Sequence, residues 1–170
     1  MKSTYLVPLL AVSLTVSVGM FTAKAEPLDK TPLVSKDLYH PPRVTKVPKP
    51  SDERPFAEHF VIFHISSGDA FAQKMVLANA QNLQNFYGPD KVQVEVVAYG
   101  PGLRILFRES TLAERIQRMA NGGIEFSACG ATMQAMGRPI ASIHKAAKVV
   151  PGGVVRITEL QEAGWTYIRP

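Results

Sequence analysis

The only cysteine of the chain, Cys129, stands where a predicted strand from Ile124 to Ala128 gives way to Gly130 and a predicted helix. Backbone N–H groups at a helix start favour an anion, so a thiolate should form more easily there than in a buried core. We therefore expect Cys129 to be reactive. The alternative is that it packs as a small apolar core residue, the usual role of a free cysteine.

Arginines provide a second candidate feature. Arg104 and Arg108 fall in the loop after the second predicted strand, on the side where Cys129 should emerge. With Gly130 at the helix start, they are candidates to bind an anionic sulfur substrate or partner, because a guanidinium binds anions through paired hydrogen bonds. Arg104 has an equal alternative as a solvated loop residue. Arg115 and Arg118 are interpreted as a solvated helix face.

Several other chemistries are disfavoured by the motifs of the sequence. One cysteine excludes an internal disulfide, a C-x-x-C dithiol cycle and a zinc site built from several thiolates. The chain has no G-x-S-x-G or phosphate-loop motif, and its four histidines show no metal-ligand spacing, so neither a metal nor an organic cofactor is expected. His64, inside an apolar run, is interpreted as a hydrogen-bonded core residue. The chain is only mildly basic, with a net charge of +5, and gives no case for nucleic-acid binding.

Strand and helix patterns alternate from about residue 59 to the end of the chain. Five predicted strands are separated by four predicted helical stretches. The strands are Phe60 to Ile65, Val92 to Tyr99, Ile124 to Ala128, Ala147 to Val150 and Trp165 to Ile168. This alternation predicts a three-layer α/β domain with a mainly parallel five-stranded sheet, whose functional site lies beyond the carboxyl ends of the strands.

Three finer expectations concern single elements. Gln93 and Glu95 alternate with valines, which favours a position near the sheet edge for the second strand. Thr111 and Glu114 have the spacing of a capping box. One helix is expected from Ala131 to His144, bent at Pro139.

The first 25 residues have the pattern of an export signal. Lys2 precedes an uncharged, mostly apolar stretch, and Ala23-Lys24-Ala25 offers a small-x-small cleavage site. We expect cleavage after Ala25 and a periplasmic protein with no membrane span, an uncleaved anchor being the alternative. Residues 26–57 hold 7 of the 13 prolines and are predicted to form an extended arm, as a spacer or as a contact with a neighbouring subunit. The α/β domain is assigned to residues 58–170.

Specific runs in the domain resemble the DsrE/DsrF-like family. They are VQVEVVAYGPGLRIL, IEFSACGATM, VVPGGVV and LQEAGWTYIRP, and the resemblance extends from about His59 to Pro170. It implies a flavodoxin-like fold and homo-oligomers, commonly trimers or hexamers. Relatives in the cytoplasm carry sulfur as a persulfide on a cysteine at the strand-to-helix position, which here is Cys129. The signal peptide and the arm depart from those relatives.

The export signal, the position of Cys129 and the resemblance together lead us to expect an exported protein that binds or transfers sulfur through a persulfide on Cys129, without a cofactor. Its partner would be a protein thiol or a small sulfur anion. Two alternatives stay open. One is a non-catalytic homo-oligomeric binding or assembly module with an unreactive Cys129, and the other is a thiol redox sensor that forms a disulfide between subunits.

Overall fold

The computed structural model describes residues 48–52 and 54–170. The predicted signal peptide and most of the predicted arm lie outside the described residues. Within the described ranges, no helix combines the length and the apolar character needed to cross a membrane. The final residues before the first strand pack on the domain: Ala57 is buried, and the Arg54 guanidinium donates hydrogen bonds to the carbonyls of Pro89 and Gly122.

Five parallel strands form one sheet, in the order β4-β3-β2-β1-β5. The strands are β1 (His59–Ile65), β2 (Val92–Ala98), β3 (Glu125–Cys129), β4 (Ala147–Val150) and β5 (Thr166–Ile168). The helices are α1 (Ala70–Tyr87), α2 (Ala113–Asn121), α3 (Gly130–Ala135) and α4 (Gly153–Glu162), and 3-10 turns span Gly100–Leu106 and Ile140–Ser142. The fold is the predicted flavodoxin-like α/β architecture.

The two faces of the sheet are covered unequally. The main core packs residues of α1, α2 and α3 against alternate strand residues such as Phe63, Val96 and Phe126. On the other face, Ile157 and Leu160 of α4 cover Ile62 and Val97, and Tyr99 and Trp165 pack against the same cluster. Such layering lets each crossover helix bury one apolar side against the sheet. Cys129 ends β3, so the fold places it at the carboxyl edge, as predicted.

The prediction that β2 lies near the sheet edge is wrong. β2 pairs with β1 and β3 at the centre of the sheet, and all seven of its residues are buried. Its polar side chains form hydrogen bonds with residues distant in sequence: Gln93 donates to Glu125, and Glu95 accepts from Arg156. A polar residue in a strand therefore signals a buried polar contact here, not exposure.

Two helix predictions also need correction. Leu112 precedes α2 with no side-chain cap, and Ser110 accepts a hydrogen bond from its N–H, so Thr111 and Glu114 form no capping box. The expected single helix from Ala131 to His144 is instead the short α3, which ends at Ala135, two residues before Gly137, where φ is +63°. Glycine adopts that left-handed conformation readily, and Pro139 lacks the N–H needed to continue a helix.

Candidate functional site

Cys129 lies between the starts of two helices. It is the N-cap residue of α3, and its Sγ accepts a hydrogen bond from the Thr132 N–H at 3.4 Å. The other helix, α4, begins at Gly153, which packs against Cys129 and whose N–H lowers the pKa of the thiol. The sulfur therefore faces the positive ends of two sets of peptide dipoles, an arrangement that favours a negative charge.

The pKa of the Cys129 thiol lies below its ordinary value. Burial is the largest single influence and raises the pKa, because a charged thiolate loses hydration. Hydrogen bonds from the Thr132 hydroxyl and from the N–H groups of Gly153, Thr132 and Ala131 lower it and together outweigh burial. Cys129 is 5% exposed, so the sulfur is sheltered from solvent. The hydrogen bonds make it easier to ionise in spite of that burial.

Close packing around Cys129 fixes the two helix starts. The Ala131 N–H donates to the Pro151 carbonyl at 3.1 Å, which ties α3 to the turn before α4. A Cβ on Gly130 would stand 3.1 Å from the Val150 carbonyl oxygen. A Cβ on Gly153 would lie 2.9 Å from Tyr99 Cβ and 3.3 Å from Cys129 Cβ. Glycine at these two positions allows the backbones to approach closely enough for the N–H groups to reach the sulfur.

The predicted site residues fall into two groups. Gly130 adjoins Cys129 and starts α3, as the sequence indicated. Arg104 is exposed, with its guanidinium near Gly68, and it forms no ion pair within the described part of the chain. Arg108 is exposed, but its Nε donates to the Ile143 carbonyl at 3.1 Å. The structure thus brings Cys129 and Gly130 together and shows no contact between either arginine and the sulfur.

Sequence reasoning missed two of the residues that act on the sulfur. The Thr132 N–H donates to the sulfur, and the Thr132 hydroxyl lowers the pKa of the thiol. Gly153, which is distant in sequence but packs beside Cys129, lowers that pKa through its N–H. The signal for Thr132 was its spacing, three residues after the N-cap, where an N–H points back at the cap side chain. The signal for Gly153 was the Pro-Gly-Gly turn that opens a helix.

Beside this site, β1 and β5 contribute an aromatic cluster. The His64 ring stacks on Tyr99, with ring centroids 4.5 Å apart, and His64 Nδ1 lies 2.7 Å from the Tyr167 hydroxyl. The pKa of His64 is lowered first by burial and then by the nearby positive charge of Arg169. His64 is therefore the hydrogen-bonded core residue that was expected. Within residues 48–52 and 54–170, no group of three or more acidic, His or Cys side chains is placed to hold a metal.

Comparisons with known proteins agree with this fold. A family model described as the DsrE/DsrF-like family matches residues 60–170. A solved structure titled as a protein of unknown function, MTH1491 from Methanobacterium thermoautotrophicum, is 33% identical, with 66% of this chain and 100% of that chain covered and a TM-score of 0.64. None of the curated proteins matches the chain in sequence.

Two further solved structures share the fold at low identity. The conserved protein of unknown function BT1422 from Bacteroides thetaiotaomicron is 15% identical, over 65% of this chain and 94% of that one, with a TM-score of 0.54. The ychN protein from E. coli is 8% identical, over 66% of this chain and 98% of that one, with a TM-score of 0.56.

Proposed function

Since the chain belongs to the DsrE/DsrF-like family, which suggests sulfur relay at a coarse level, we propose that it binds and transfers sulfur as a persulfide on Cys129. The observation that carries this proposal is the placement of one sheltered sulfur at the start of α3, where it accepts from the Thr132 N–H at 3.4 Å, and against Gly153 at the start of α4. A cysteine that served only to fill space would need no such placement. A sulfur that alternates between thiolate and persulfide anion needs negative charge stabilised in both states.

The proposed reaction balances without an external oxidant. The Cys129 thiolate attacks the outer sulfur of a persulfide or polysulfide donor, a new S–S bond forms at Sγ, and the donor's S–S bond breaks. The electron pair of the broken bond leaves with the donor as a thiolate. In the second half, an acceptor thiolate attacks the outer sulfur, takes it as its own persulfide, and Cys129 returns to the thiolate.

Arg104 is proposed to attract the donor or partner, since it is exposed and free of an ion pair in the described residues. A protein thiol or a small sulfur anion would both be drawn to such a cation. Export to the periplasm is proposed from the sequence of residues 1–25, and assembly into homotrimers or hexamers from the family resemblance. The predicted arm is a candidate for contacts between subunits.

Intact mass tests the proposal. The purified chain is incubated with polysulfide, freed of the donor and weighed before and after treatment with a reductant, beside a Cys129→Ser variant. We expect wild type to gain the mass of one sulfur and to lose it on reduction. The serine variant should gain none, because the chain has no other cysteine. A gain that resists reduction would indicate sulfinic acid, whose two oxygens nearly match one sulfur in mass, and would contradict the proposal.

A further inference from the structure

Helix α4, which begins beside the reactive sulfur, packs on the sheet through only a few apolar side chains. Its buried residues are Gly153, Ile157 and Leu160. The last two form a small apolar cluster with Ile62 and Val97, against which the partly buried Tyr99 and Trp165 also pack. A contact of this size holds a helix to a sheet but permits it to slide or rotate, because apolar contacts are not directional. A directional contact adds to the close packing at Gly153 and fixes the rotation and register of the first turn of α4.

Glu95 provides that contact from the centre of the sheet. Its carboxylate is fully buried in β2 and accepts two hydrogen bonds from Arg156 of α4, at 2.9 and 2.7 Å. Ser127 of β3 donates a third at 2.5 Å, and the Lys148 ammonium of β4 lies 3.4 Å away. The paired geometry of a guanidinium and a carboxylate fixes both distance and orientation.

A buried carboxylate resists any displacement of its partners. Burial raises the pKa of Glu95, but hydrogen bonds from Arg156 and Ser127, with the positive charge of Lys148, more than offset it, so that the pKa is lowered overall. Moving Arg156 away would leave a charge without its main partner in the protein interior, which is strongly unfavourable. The position of the guanidinium is therefore held firmly relative to β2.

Arg156 and Gly153 lie in the same first turn of α4, so the position of Arg156 determines that of Gly153 beside the sulfur. Arg156 follows Gly153 by three residues, and its own N–H donates to the Gly152 carbonyl at 2.9 Å. A hydrogen-bonded turn is rigid, so fixing Arg156 also fixes the Gly153 N–H. Gly153 packs against Cys129, which ends the strand adjacent to β2: a Cβ on Gly153 would lie 3.3 Å from Cys129 Cβ, and the Gly153 N–H lowers the pKa of the thiol.

We propose that Glu95 and Arg156 are positioning residues for Cys129: their buried ion pair sets the register of α4 on the sheet and so holds the Gly153 N–H against the sulfur. Neither residue touches the reacting atoms. The proposal builds on the proposed role of Cys129, yet its test needs no sulfur donor. Failure of sulfur uptake by wild type and failure of the positioning proposal are therefore separate results.

The test follows the ionisation of Cys129 by the ultraviolet absorbance of its thiolate as a function of pH. The chain has a single cysteine, so the thiolate signal comes from one site. The variants are Glu95→Gln, Arg156→Lys and the double variant Glu95→Gln with Arg156→Gln, each checked for native circular dichroism. The control is Lys148→Gln, which removes the other cation near Glu95 without touching α4.

In the double variant we expect the thiolate to form at higher pH, with its fraction at pH 7 reduced about tenfold, the loss expected for one hydrogen bond to a charged group. Arg156→Lys keeps the charge but not the paired geometry and should show a smaller change in the same direction. Lys148→Gln should titrate like wild type.

Two results would overturn the proposal. One is a folded double variant whose thiolate titrates as in wild type. The other is an equal change in Lys148→Gln, because the effect would then come from local charge and not from the placement of α4. If removal of the buried carboxylate prevents folding, the Arg156→Lys variant tests the proposal instead. The side chain at position 156 is partly exposed to solvent, and lysine keeps its positive charge.

Discussion

The Thr132 N–H donates a hydrogen bond to Cys129 Sγ at 3.4 Å, and the Thr132 hydroxyl lowers the pKa of the same thiol. The same hydroxyl oxygen accepts from the N–H of Gly100 at 3.0 Å, so its proton is free to point at the sulfur. Gly100 begins the turn that follows β2. The thiolate is thus supported by the backbone of α3 and by a side chain that the neighbouring strand's loop holds in place.

Replacing Thr132 by valine should raise the pKa of the Cys129 thiol. Valine has nearly the shape of threonine but no hydroxyl, so one donor to the thiolate disappears while the backbone N–H remains. We expect the thiolate fraction at neutral pH to fall about tenfold. The pH dependence of thiolate absorbance measures it. Thr132→Ser restores the hydroxyl and should titrate close to wild type, and equal values for valine and serine would rule out a role for the hydroxyl.

Gly153→Ala should destabilise the domain and weaken the site together. The added Cβ would stand 2.9 Å from Tyr99 Cβ and 3.0 Å from its Cδ1, closer than carbon atoms normally approach. We expect a loss of about 1–3 kcal/mol in the free energy of unfolding, typical of overpacking, and a higher pKa of the Cys129 thiol as α4 shifts away.

Gly152→Ala is the matched control, one residue earlier. There the nearest atom is Val155 Cγ2 at 3.2 Å, on an exposed side chain that can move. Urea unfolding and thiolate titration of both variants provide the comparison. A Gly152→Ala variant as impaired as Gly153→Ala would contradict the close packing described for Gly153.

The arginines are predicted to have separate roles. Arg104→Gln should slow sulfur uptake from an anionic donor about two- to fivefold, the effect of one exposed charge, and the difference should vanish in high salt. Stopped-time mass analysis of sulfur loading measures it. Arg118→Gln is the control, since Arg118 is an exposed cation on α2, and an equal slowing there would indicate a general effect of net charge.

Arg108→Gln should lower stability without slowing uptake. Its Nε donates to the Ile143 carbonyl, and the two segments also meet where Phe107 pairs with Ile143. The expected loss is about 1–3 kcal/mol, the cost of a hydrogen bond from a charged group. Denaturant unfolding beside the loading assay separates the two effects, and slower loading at unchanged stability would instead assign Arg108 to the donor site.

The sequence predicted the elements with apolar periodicity and the location of Cys129, because both depend on neighbours in the chain. It did not predict that β2 is central, because the charge of Glu95 is neutralised by Arg156, 61 residues away. The part of Gly153 in the site was missed for the same reason: strand order decides which helix start reaches the sulfur. Local signals also misled at Thr111, where a capping box was expected: α2 begins after Leu112 with no side-chain cap, and the Leu112 N–H donates to Ser110.

The aromatic cluster predicts how stability depends on pH. The pKa of His64 is lowered from 6.5 in the folded protein, so the unfolded chain binds the proton more readily. Stability should therefore fall as pH drops below about 6.5, until the folded pKa is reached. Glu95, whose pKa is lowered from 4.5, contributes stability that is lost only at more acidic pH.

His64→Phe should remove the part of this loss that begins as the pH falls through the interval just below 6.5, because phenylalanine does not titrate. The Tyr167→Phe variant keeps the buried imidazole of His64, so its stability should still fall with pH over this interval. Chemical denaturation at a series of pH values gives the free energies. A wild-type profile that is flat over this interval would contradict the burial of a neutral His64.

The central claim is that Cys129 carries one transferable sulfur, and cyanolysis tests it most directly. Cyanide attacks the outer sulfur of a persulfide, releases it as thiocyanate and returns the thiolate, so the product counts labile sulfur atoms. Protein loaded with polysulfide and freed of donor should release one thiocyanate per wild-type chain and none per Cys129→Ser chain. Equal release from the two proteins, or none from wild type, would contradict the account.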